Sequence, residues 1–123
     1  TALAELLPER IRASGDLKVT PDASRIEAPD GSRHELGTRR PMRLVTLALV
    51  HARLKTPGAV LSVADLVEAG WPGEDPIPEA GANRVYVAIA HLRQQGLRAV
   101  IEQKAGGYRL RPGNAFRIAG IFG

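Results

Sequence analysis

The sequence predicts an α+β domain, on three observations. Short alternating runs open the chain, apolar residues at helical spacing fill its middle, and a further pair of short runs follows. With 123 residues and 44% hydrophobic content, the chain supports one core and is too short for two comfortable ones. The expected organisation is a linker or short helix over 1–16, one domain over 17–112 and a C-terminal tail over 113–123.

The elements follow in order. Leu3, Leu6, Leu7 and Ile11 have near-helical spacing within Ala2–Ala13, interrupted by Pro8. Leu17-Lys18-Val19, Arg25-Ile26-Glu27-Ala28 and Arg33-His34-Glu35-Leu36 are strand-like, and Thr20-Pro21-Asp22 and Pro29-Asp30-Gly31-Ser32 between them are turn signals. These runs predict a small antiparallel sheet of three strands. Pro41 suits the first turn of a helix, and Leu44, Leu47, Ala48, Val45 and Leu49 give Met42–Leu54 the broad apolar surface of a central helix. Ser62 and Asp65 form a capping-box pattern ahead of Val63, Leu66 and Val67, and Gly70 terminates that short helix.

Pro72, Gly73, Pro76 and Pro78 predict a loop over Trp71–Ala80. Val85, Ile89 and Leu92 then recur at helical spacing within Ala82–Gln95, and Gly96 ends the pattern. Ala99–Gln103 and Gly107–Arg111 flank Lys104-Ala105-Gly106 and read as a hairpin. Two helices joined by a loop and followed by a hairpin make a winged helix-turn-helix, here with an N-terminal three-stranded sheet, three helices in all and a C-terminal hairpin wing.

Composition narrows the chemistry. The formal charge of +4 and a pI near 10.1 favour an anionic partner. The absence of cysteine removes disulfides, thiolate nucleophiles and cysteine-ligated metal, and fits a reducing cytoplasm. No apolar run approaches the roughly 20 residues of a membrane helix, so no membrane partner is expected. The sequence opens on Thr1 with one methionine, Met42, and reads as a piece of something longer.

Taken together, the N-terminal strands, Leu61-Ser62 and Leu66 with Trp71 shortly after, the run Val85–Arg93, Ile101 and Gly107-Tyr108-Arg109-Leu110 resemble an OmpR/PhoB-type effector domain over Leu17–Pro112. This resemblance implies a bacterial, cytoplasmic, response-regulator-like module of signal transduction that binds double-stranded DNA to regulate transcription. It also implies a role for the loop before the last helix in contacting RNA polymerase, for which Glu74 and Asp75 are the candidates.

With Val85, Ile89 and Leu92 inward at about 100° per residue, Asn83, Val87, Ala90, His91 and Gln94 face outward and Arg84, Tyr86 and Arg93 lie on the flanks. Asn83 and Gln94 have the chemistry to read adenine edges, and Val87 or Ala90 to meet a thymine methyl. Arg84, Arg93, Lys104 at the wing tip, Arg109 and Arg111 have the charge to hold phosphates, and His91 is a groove-contact candidate. The resembled family carries more arginines or polar groups at positions matching Asn83, Ala88, Ala90 and His91. Two of these are alanine here, which leaves open a protein–protein interaction module of a larger signalling protein. Charge supports the DNA reading: residues 62–79 carry only acidic charges, whereas residues 80–112 carry six basic ones against Glu102. Trp71, Val85, Ile89, Leu92 and Tyr108 are expected to pack the core.

An enzyme is not expected. His34, His51 and His91 lack metal-ligand spacing, and Ser62 and Asp65 serve as a cap, so the sequence assigns no catalytic residue, metal, cofactor or small-molecule substrate.

Overall fold

The computed structural model describes residues 16–112 together with the backbone of 117–120. The expected helical spacing over Ala2–Ala13 lies outside these residues. The order is β1 (Asp16–Val19), β2 (Arg25–Glu27), β3 (Arg33–Glu35), α1 (Arg40–Lys55), β4 (Leu61–Ser62), α2 (Val63–Gly70), α3 (Pro78–Leu92), β5 (Ile101–Lys104), β6 (Gly107–Leu110) and β7 (Arg117–Gly120). The described fold is therefore α+β, with the three antiparallel N-terminal strands, three helices and a C-terminal hairpin.

Antiparallel pairing places Lys18 opposite Glu27 and Ile26 opposite His34. Strand alternation turns Leu17, Val19 and Ile26 to the core, while Lys18 and Arg33 both meet the Glu27 carboxylate on the other face. A fourth strand joins this sheet from the stretch expected to be a tail: β7 runs parallel to β1, with Asp16 opposite Arg117, giving the order β3-β2-β1-β7. The second sheet, β4-β6-β5, holds the hairpin against the short strand that precedes α2.

Helix α1 begins one residue ahead of Pro41 and buries Met42, Val45, Thr46, Leu49 and Val50. Leu44 and Leu47 are only half-buried, because the face that meets the core is offset from the one they define. His51 lies on the exposed face of this central helix. At α2 the capping box is complete: the Ser62 hydroxyl accepts from the Asp65 N–H and the Asp65 carboxylate from the Ser62 N–H, both at 3.0 Å. Gly70 ends α2 against α1, where an added Cβ would sit 3.0 Å from Val45 Cγ2.

Helix α3 starts at Pro78, four residues before Ala82, where the sequence reading placed its start. Proline at the first turn costs no hydrogen bond, so Pro78 opens the helix and does not extend the loop. The α-helix ends at Leu92, three residues before the expected Gln95; a wider π turn, Arg93–Leu97, follows it, in which Gln95 leaves helical geometry and Gly96 at φ +87 turns the chain away. Val45, Leu66, Val85 and Leu92 are wholly buried where the three helices meet, and Ile101, Tyr108 and Leu110 of the hairpin close one side of this core.

Candidate functional site

Helix α3 divides into three faces. Val85, Ala88, Ile89 and Leu92 are buried. Opposite them Asn83, Val87 and Ala90 form an exposed stripe at helical spacing, which Gln94 continues in the turn that follows the helix. Ala88 is thus a core position, and its being alanine says nothing about the outward face.

On one flank of the stripe, Tyr86 is half-exposed and Arg93 lies over the buried Tyr108 ring, its guanidinium carbon 5.9 Å from the centroid. Burial pushes the Tyr108 phenol above its ordinary value of 10.0, with the Arg93 charge opposing. This contact joins α3 to the hairpin. The hairpin's two-residue turn has Ala105 and Gly106 at φ 51 and 80, the double left-handed form that matches strand twist. Lys104 stands exposed beside that tip.

Two other expected contact residues behave differently. Arg109 is turned inward: it donates to the Glu102 carboxylate at 2.8 Å and to the Gly58 carbonyl at 3.3 Å, leaving its side chain 15% exposed. That hydrogen bond holds the Glu102 carboxyl below its ordinary value, helped by the nearby charges of Arg109, Arg111 and Lys104 and opposed by desolvation. Arg109 therefore braces the hairpin to the α1–β4 turn and presents no free guanidinium. Arg111 follows β6, at the end of the hairpin away from Lys104, where its carbonyl accepts from Arg53 at 3.0 Å. Lys104, Arg109 and Arg111 surround Glu102 in the fold as their sequence proximity suggests, but only Lys104 stands at the tip: Arg109 is bound inward, and Arg111 Nε lies 3.9 Å from the Glu102 carboxylate.

The other flank of the stripe carries Arg84 and His91. Arg84 donates to Glu74 at 2.8 Å and lies 5.8 Å from the Trp71 ring centroid. Trp71 itself is half-buried, packing one side on the core and the other under Arg84. Asp75, next to Glu74, is exposed. Both acids line a groove of about 560 Å³ against Val63, Val67, Pro76 and Pro78.

Arg39 and Arg40 were missed by sequence reasoning. They are exposed at the start of α1, and with Asn83, Val87 and His91 they line a cleft of about 590 Å³. A signal existed: from Leu36 to Ala64 the chain carries Arg39, Arg40, Arg43, Arg53 and Lys55 and no acidic residue. What local pattern cannot supply is that α1 begins beside α3.

Among the described residues, no group of three or more His, Asp or Glu side chains is placed to hold a metal ion. Likewise, no helix among them is long and apolar enough to cross a membrane. No protein-family model matches the chain, and no curated protein matches it.

Proposed function

We propose that this chain is a winged helix-turn-helix domain of the OmpR/PhoB kind that binds double-stranded DNA in transcription regulation. Helix α3 lies in the major groove, and the hairpin β5–β6 reaches the flanking backbone or minor groove. One observation carries this reading: the exposed stripe Asn83, Val87, Ala90, Gln94 is uncharged and lies between basic flanks, with Arg93 and Lys104 on the hairpin side. Uncharged groups suit base edges, and cations suit the phosphates on either side. Arg109 acts as a brace, and no catalytic role is assigned to any residue.

The test is a duplex titration by fluorescence anisotropy at several salt concentrations, using a sequence selected from a random pool and an unrelated duplex. Steep weakening with salt is expected. Arg93→Ala and Lys104→Ala should weaken both duplexes alike, each lowering the salt slope by about one. Asn83→Ala or Gln94→Ala should weaken the selected duplex preferentially, by roughly 1 to 3 kcal/mol for a bidentate contact. Absence of salt-sensitive binding at low ionic strength would remove the proposal.

A second reading rests on Tyr86 and Val87, exposed at 51% and 50% on this same helix. Large apolar surface there suits a protein partner within a signalling assembly. Loss of a protein complex on Val87→Asp, in a domain without affinity for DNA, would establish that reading instead.

A further inference from the structure

The reading of α3 and the hairpin leaves Arg39 and Arg40 without a role. Both are exposed, and among the described residues neither is paired with a carboxylate. The neighbouring Arg84, by contrast, is occupied by Glu74. The cleft that the pair shares with Asn83, Val87 and His91 has no acidic residue in its lining. Two permanently charged guanidinium groups above an acid-free cleft call for an anion, and their planar fork of donors matches phosphate oxygens.

Position then selects which phosphates. The cleft lies on the Arg84–His91 flank of α3, whereas Arg93, Tyr108 and the hairpin lie on the opposite flank. A major groove is about 12 Å wide, so a helix seated in it turns its two flanks to the two backbone walls. Resting on the DNA reading of α3, we infer that Arg39 and Arg40 form a second phosphate-binding site. They hold the backbone on the α1 side of the groove, while Arg93 and Lys104 hold the opposite strand. The duplex is thereby clamped from both walls, and α1 takes part in recognition as well as in the core.

The experiment compares the whole chain with Arg39→Ala/Arg40→Ala, Arg39→Lys/Arg40→Lys and Arg33→Ala, by anisotropy titration across salt and by phosphate-ethylation interference. Arg33 removes one positive charge from the exposed face of the N-terminal sheet. Each lost phosphate contact lowers the salt slope by about 0.9, so the double alanine variant should lose about two from its slope on selected and unrelated duplexes alike. Its interference pattern should fade on one strand only. The double lysine variant should keep the slope, and Arg33→Ala should match the wild type. An unchanged slope in a double alanine variant of native circular dichroism would overturn the second site and leave the DNA reading standing. A slope loss of about one in Arg33→Ala, half that of the double variant for half the charge removed, would assign the effect to net charge and also overturn it. A wild-type chain without salt-sensitive binding would bring down both.

Discussion

Ala105 has a φ of 51°, a left-handed conformation that a Cβ disfavours, and Gly106 follows it in the same region. The hairpin turn asks for Asn-Gly and holds Ala-Gly. Ala105→Asn should therefore stabilise the domain by about 1 kcal/mol. A rise of roughly 4 to 8 °C in the thermal midpoint is expected for a domain of this size. Calorimetry checks it, and an unchanged or lowered midpoint would show that the turn is not strained. At this scale the sequence was legible where a residue type has one physical use, as with Gly96 or the Ser62–Asp65 cap. It was less legible for long side chains. Arg109 reads as a surface cation until Glu102 and the Gly58 carbonyl are seen to converge on it, and Trp71 reads as core until Arg84 is found over one face.

Among the elements, the segment between α2 and α3 is the one whose charge opposes its neighbour. Glu74 offers Arg84 a carboxylate in the place where a phosphate oxygen would otherwise be accepted. The pair is solvent-exposed at both ends, so it contributes only about 0 to 1 kcal/mol to folding. Glu74→Gln should leave the thermal midpoint nearly unchanged. On the DNA reading it should also tighten duplex binding and steepen the salt slope by about one, because Arg84 becomes available. Titration across salt decides the matter, and weaker binding would mean that the ion pair positions α3 for its ligand. Element order and type followed from periodicity, since helix and strand patterns differ along this chain. The start of α3 did not, because proline is both a loop residue and a good first residue of a helix, and the hydrogen bond from the Gly81 N–H to the Ile77 carbonyl at 2.9 Å shows which applies.

For the molecule as a whole, local pattern delivers the inventory of parts but not their adjacency. The stripe on α3 could be drawn from helical spacing alone, whereas the cleft with Arg39 and Arg40 exists only because α1 starts beside α3. The pairing of β7 with β1 is the extreme case, joining Asp16 and Arg117 from opposite ends of the described chain. Such a pairing yields its hydrogen bonds only after nearly the full loop-closure entropy has been met, so it should form last and open early. Without it β1 becomes an edge strand that keeps its buried Leu17 and Val19 on one face and offers unpaired backbone along its side. A chain shortened before Arg117 should therefore refold at least as fast as the whole one, yet self-associate as its concentration rises. Stopped-flow refolding and light scattering follow the two effects, and slower refolding of the shortened chain would place β7 among the first contacts made. By pairing with β1, β7 moves the open edge of the sheet off the strand that carries Leu17 and Val19.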